Sequence, residues 1–293
     1  MRPPAKSFIL DLLSTLRRGT MPVSALVEAG ELFGIASNST RVALVRLLAD
    51  GHVARDERGR YRLGAGAQPV ERRVTRWRES EQQTRRWAGG WLGVHVDGSA
   101  AAVSGSPARQ ERRGRDRALR LVGFRSLTPG LAIRPDNLKR GIDAVRDELR
   151  SLGLPGCDLV FELRAMDPAT DQRARSLWDV SGLRATYRNL GAELEKSGRQ
   201  LERFPVEEAM VESFLLGGRA LRQLVLDPLL PEAICPGAER EALRTTMRQY
   251  DRLGRAAWSQ FLKRYDVPHL STPADTRMTT GLDGLSEVAG LIH

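Results

Sequence analysis

Asn38, Arg41, Val42, Val45 and Arg46 recur at spacings that bring them to one side of an α-helix. Their types match what a DNA duplex presents in its major groove. An Arg donates two hydrogen bonds to a guanine, an Asn pairs with an adenine, and a Val side chain meets a thymine methyl group. At about 100° per residue, Thr40, Ala43, Leu44 and Leu47 gather on the other side and form a face to be buried. Ser37, Ser39 and Thr40 in the first turn complete the candidate reading set, with Ser37 also expected as the N-cap. Just downstream, Arg58, Arg60 and Arg62 are candidates for phosphate contacts, which position a duplex without reading it.

Several elements are needed to hold those side chains. A first helix is expected over residues 7–18, with Phe8, Leu12, Leu13 and Leu16 on one stripe and Gly19 as a stop. A second follows from about Ser24, burying Leu26, Ala29, Leu32 and Phe33 and closing at Gly34. The third runs from Ser37 to Asp50, before Gly51. Residues 52–55 and 60–63 then read as two strands joined by a turn over 56–59, with Val53, Tyr61 and Leu63 packing inward. Helix, turn, helix and ribbon in this order spell a winged helix-turn-helix over residues 1–66. The competing reading is a helical bundle whose third helix merely has a polar outer face.

Composition agrees with a polyanionic partner. The 293 residues suffice for two or three domains, and Lys plus Arg outnumber Asp plus Glu by 46 to 36, a net +10. Residues 1–66 hold ten basic and six acidic groups, a net +4, so the excess is spread along the chain. Two cysteines, Cys157 and Cys235, stand far apart and suggest free thiols in a reducing cytoplasm. The first residues lack the sustained apolar run of a signal peptide, and no run of about 18 apolar residues suggests a membrane span. A soluble cytoplasmic protein without membrane contact is expected.

Beyond the reader, residues 67–90 read as a basic helical linker, six Arg against three Glu, anchored by Val70, Val74, Trp77 and Trp87. Residues 91–170 alternate strand and helix patterns: a strand at 91–96, a basic helix after 105, a turn and strand over 123–135, a helix over 136–152 and a strand over 158–163. That alternation argues for a ferredoxin-like α/β sandwich. Residues 171–293 are read as a mainly helical C-terminal domain, its last helix around 243–261, with a loosely held tail after Pro268. The overall class is α+β.

The order of segments resembles the PaaX-type repressors of phenylacetate degradation over most of the chain. The resemblance rests on FGIASNSTRVALVRLLADGHVARDERGRYRLG at 33–64, LRLVGFRSLTPGLAIRP at 119–135 and LRQLVLDPLLPEAICPG at 221–237. It implies an N-terminal winged helix, a middle ferredoxin-like domain similar to Cas2, and a helical C-terminal domain. It also implies a homodimer that binds a palindromic operator in double-stranded DNA and is released by an aryl-acyl-CoA effector such as phenylacetyl-CoA. Two departures point to a different ligand if those positions touch it. Ile234-Cys235 stands where family members often carry Asp-Trp, and an aromatic common near Ala132 is missing.

An acyl-CoA needs cations for its phosphates and an apolar slot for its acyl group. Arg112, Arg113, Arg115 and Arg117 are candidates for the first, and Trp178 or Tyr187 for the second. Asp227, beside a proline at a helix end, reads as a helix stop with an effector role as the alternative. No catalytic residue, metal site or cofactor is expected. The four histidines form no ligand pair at helical spacing, and neither a Walker-type loop nor a GxSxG elbow occurs. The rival functions are a metal-dependent nuclease using Asp97 of the middle domain, and a DNA-binding structural protein that responds to no ligand.

Overall fold

The computed structural model describes residues 3–14, 16, 19–67, 77, 83–95, 106–154 and 159–267. Its class is mixed α and β, with antiparallel sheets. By density of contacts the chain divides into two compact units that do not follow the sequential segments expected above. One comprises described residues of Met1–Trp77, Arg188–Val225 and Ala242–Gly290; the other comprises those of Arg78–Tyr187 and Leu226–Glu241.

The first unit begins with α1 (Ala5–Ser14), α2 (Val23–Leu32) and α3 (Ser37–Ala49). Both turns after α2 and α3 are Schellman closures. Gly34 (φ 71) donates to the Glu31 carbonyl and Ile35 to that of Gly30; Gly51 (φ 70) donates to Leu48 and His52 to Leu47. Only glycine takes that left-handed backbone without strain, so these two glycines set where the helices end. Ser37 is not the N-cap. Ala36 holds that place with extended backbone and no side-chain cap, which puts Ser37 inside the first turn.

Strands β2 (Val53–Arg55) and β3 (Arg60–Leu63) pair as expected, Val53 opposite Leu63 and Arg55 opposite Tyr61. A strand absent from the sequence reading, β1 (Met21–Pro22), flanks the other edge of β3. Its two residues are too few to show a periodicity. The unit closes over its hydrophobic core with α8 (Val206–Val225) and the greater part of α9 (Ala238–Arg264). Phe214 of α8 lies 5.3 Å from Phe8 and 4.7 Å from Phe33 between ring centres, and 5.8 Å from Trp258 of α9. The Trp258 indole N–H is satisfied by the Met210 carbonyl at 3.2 Å. The helical segment late in the chain thus completes the core begun by its first fifty residues.

In the second unit β4 (Trp91–His95), α4 (Ser106–Leu121), β5 (Arg125–Thr128), β6 (Leu131–Pro135), α5 (Gly141–Ser151) and β7 (Val160–Leu163) follow one another. The four strands form one antiparallel sheet in the order β5-β6-β4-β7. The expected turn and strand over 123–135 is a hairpin of two strands, because Pro129-Gly130 reverses the chain with Gly130 at φ 82. The expected helix over 136–152 begins only at Gly141. Upstream of it Leu138 bridges Thr84 and Asp136 accepts from Arg85 at 2.7 Å. The helix expected over 70–87 lies mostly outside the described residues, and residues 84–87 are not helical. Helices α6 (Pro168–Arg175) and α7 (Val180–Leu201) follow, with Asp167 capping α6 through the Thr170 N–H.

The two later stretches quoted above, residues 119–135 and 221–237, meet in this unit. Buried Arg134 donates to the Val122 carbonyl and to Asn137 Oδ1, and Asn137 Nδ2 donates to the Leu229 carbonyl at 2.6 Å. A Cβ at Gly123 would stand 3.1 Å from the Pro228 carbonyl oxygen. Residues 122–137 and 228–229 are therefore one packed corner.

Candidate nucleic-acid interface

Helix α3 buries Thr40, Ala43, Leu44 and Leu47 and exposes Asn38, Ser39, Arg41, Val42, Val45 and Arg46, with Ser37 half-buried. The 100° periodicity that sorts them is legible in the sequence, and the hydrophobic core beneath fixes which side faces out. Thr40 is a correction to the reading set. It is fully buried against Gly30 of α2, where an added Cβ would stand 2.9 Å from its hydroxyl oxygen, so it is an interior packing residue.

The ribbon beside α3 turns over Asp56–Gly59. Asp56 Oδ1 accepts from the backbone N–H groups of Arg58 (3.0 Å) and Arg60 (2.8 Å), so this carboxylate is engaged in its own turn. Asp50, at the end of α3, is paired with Lys6 at 3.0 Å. With those acids engaged, the exposed guanidinium groups of Arg41, Arg46, Arg58 and Arg62 have no hydrogen-bonding or ionic partner among the described residues. Arg55 lies 5.8 Å over the Tyr61 ring, a cation the sequence reading missed. Its position opposite Tyr61 follows from strand register, which sequence alone does not specify.

Arg60 is the second correction. Its side chain turns inward, donating to Thr20 Oγ1 (2.9 Å), the Thr20 carbonyl (3.0 Å) and the carbonyls of Tyr265 and Asp266. Those last two are orphan acceptors just past the C-terminus of α9, where a cation is favourable both as donor and against the helix dipole. Glu28 of α2 binds the same helix end through Arg264 and the Tyr265 hydroxyl. Arg60 therefore ties the ribbon to α9 and does not point at solvent.

A second basic site lies wholly in the other unit. A cleft of about 1020 Å³ is lined by Arg112, Arg113, Arg115, Arg117, Arg120 and Arg125, with Asp116 the one acid among the described residues. Leu119, Leu121, Phe124, Leu131, Ala132 and Leu226 supply its apolar wall. Arg125 has its pKa pushed below the usual guanidinium value, first by burial and then by the neighbouring charge of Arg120. Like charges crowded beside apolar wall are relieved by an anionic ligand. All four arginines expected from α4 are here; the sequence reading passed over Arg120, one turn beyond Arg117 on the same helix, and Arg125, which lies past a turn that only the fold brings back onto the helix.

Trp178 and Tyr187 are not in the cleft. Trp178 stacks on Trp91 at 6.1 Å in the core, and buried Tyr187 donates to Asp227 Oδ2 at 2.7 Å. Burial, with the Asp227 charge second, raises the Tyr187 pKa and keeps its hydroxyl a donor. Asp227 also accepts from the Leu229 N–H at 2.7 Å and from Arg240 at 3.5 Å, an anchor for the 227–230 turn. Cys235 is a buried free thiol; Cys157, Asp97, His269, His293 and the tail after Pro268 lie outside the described residues. Among the described residues no group of three or more metal-ligating side chains gathers, and no helix is long and apolar enough to cross a membrane.

No curated protein matches the chain. Among solved structures it is similar to the uncharacterized protein Rv0674 from Mycobacterium tuberculosis, at 25% identity and a TM-score of 0.52, over 86% of this chain and 99% of that one. The family model described as PaaX-like protein matches residues 4–66, the span of the first three helices and the ribbon, so the resemblance to PaaX-like proteins read from the sequence is shown and is carried by that segment.

Proposed function

We propose that the chain is a non-enzymatic, sequence-specific regulator of transcription, a repressor that binds double-stranded DNA through α3 and the adjoining ribbon. The observation that carries this reading is the outer face of α3: Asn38, Arg41 and Arg46 exposed together, with no acidic partner taking up the two arginines among the described residues. On this reading residues 5–63 form a winged helix-turn-helix, α3 enters the major groove, and Arg58 and Arg62 lie along the phosphates. The PaaX-like match over residues 4–66 supports a regulator. The strand order β5-β6-β4-β7 with its β-α-β-β-α-β sequence supports a ferredoxin-like middle domain.

One such helix reads too few base pairs for operator-level specificity, so the working species is a homodimer on a palindromic operator. The cleft of α4, β5 and β6 supports the effector part of the proposal. Its arginines suit the phosphates of an aryl-acyl-CoA, and its apolar wall suits the acyl end. Ala132, one of the two departures from the family pattern, lies in that wall, which favours an acyl group other than phenylacetyl.

The test is enrichment of a duplex from a random pool, followed by titration of that duplex and a scrambled one in rising salt. Specific binding that weakens steeply with salt is expected. Equal affinity for both duplexes would defeat the reading. Acyl-CoAs are then added to the complex, and at least one is expected to release it and to stabilise the free protein against heat.

A further inference from the structure

The outer face of α3 is not uniformly polar. On a helical wheel Asn38, Val42, Val45 and Ala49 fall along the middle of that face, with Arg41 and Arg46 on opposite flanks. Among the described residues five large apolar side chains are exposed, and three of them are on α3: Val42 at 41%, Val45 at 68% and Leu48 at 40%. Val45 is the most exposed of the five. Valine is a mediocre helix former, so neither helix propensity nor core packing explains a valine pair at the centre of a solvent face.

We propose that Val42 and Val45 are the specificity-determining pair of this surface, packing against the C5-methyl groups of thymines on neighbouring base pairs. The preferred half-site then carries thymines at its centre and guanines at its edges, under Arg41 and Arg46. The inference rests on the DNA-binding reading above and adds the base feature that is read. Charge complementarity commits the ridge to a duplex: it is flanked by two arginines with no ionic partner among the described residues, while the nearby Asp50 is held by Lys6. A rise of about 1.5 Å per residue puts the two valines about 4.5 Å apart along the helix, little more than the roughly 3.4 Å step between base pairs. A helical valine is also held in one dominant rotamer, so its methyl groups meet the groove already placed.

The experiment uses the full chain and the best duplex enriched from a random pool. Each thymine is replaced in turn by uracil, which keeps base pairing and removes only the methyl group. At one or two central positions uracil is expected to weaken binding about fourfold, the worth of one buried methyl. Val45→Ala, at a site with no core contact to lose, weakens the thymine duplex and no longer distinguishes uracil. A site bound specifically yet indifferent to uracil overturns the proposal, as does a full thymine-to-uracil ratio in both Val45→Ala and Val42→Ala. If Val45→Ala instead alters sedimentation of the free protein and leaves the ratio intact, the ridge is a contact between copies and the proposal falls. A pool with no enrichment removes the DNA-binding reading itself, a result separable from the others.

Discussion

The outer face of α3 and the cleft beside α4 are made of the same two ingredients, guanidinium groups and apolar side chains, in opposite curvature. On α3 the arginines stand exposed on a convex helix, with valines forming a ridge between them. In the cleft the arginines surround a hollow whose wall is apolar, and Arg125 is half-buried with its pKa lowered by burial and by Arg120. A convex surface suits a long polyanion whose groove it enters; a concave one suits a small anion it can surround. Charge alone therefore does not separate the proposed DNA reader from the proposed effector site. Shape does, and each shape comes from its own core.

The comparison breaks first if the reader's core is disturbed. Phe214→Ala empties the centre of the aromatic cluster shared by α1, α2, α8 and α9, and should cost about 3–5 kcal/mol of stability, measured by denaturant unfolding. An acyl-CoA or pyrophosphate probe should still bind the cleft in conditions where the protein remains folded. Arg41→Ala comes next: a loss of about 1–3 kcal/mol on the enriched duplex and much less on a scrambled one. Equal losses on the two would make Arg41 a positioning cation.

A third substitution addresses the cleft alone. Arg120→Ala removes a cation next to Arg125, and should weaken binding of a polyphosphate ligand by roughly tenfold, within the range for charge-assisted hydrogen bonds. Affinity for DNA in the absence of ligand should not change, which calorimetry and anisotropy can measure on the same sample. The smallest effects sharpen the contrast between two neighbouring arginines of β3. Arg62→Ala should weaken binding to any duplex and make its salt dependence shallower by about one unit of slope. Arg60→Ala should leave that slope unchanged and lower stability by about 1 kcal/mol, because Thr20 and the carbonyls of Tyr265 and Asp266 lose their donor.

Much of the reader was legible because local rules decide it. Gly34 and Gly51 mark helix ends through backbone freedom, and the 3.6-residue period sorts α3 into two faces. Asp56 and Gly59 mark the turn of the ribbon. Arg60 misled because it alternates with Tyr61 just as Arg62 does, and strand periodicity cannot say that the end of a helix some two hundred residues later covers that place. Trp178 and Tyr187 misled for a related reason: aromatic side chains suit a ligand slot and a core equally well until the partners are known.

The sequence by itself determined the first three helices and the β2-β3 ribbon, the basic helix α4, and the side chains on the outer face of α3, since these follow from periodicity, turn chemistry and charge. Tertiary structure decided which of those side chains remain available. It drew α8 and α9 into the core beneath α1 and α2, turned Arg60 and Thr40 inward, and brought Arg125 round to the arginines of α4. The physical reason is distance along the chain. Contacts between residues tens or hundreds apart are set by how apolar faces close on one another, and that closure leaves no periodic signal in the segments that take part in it.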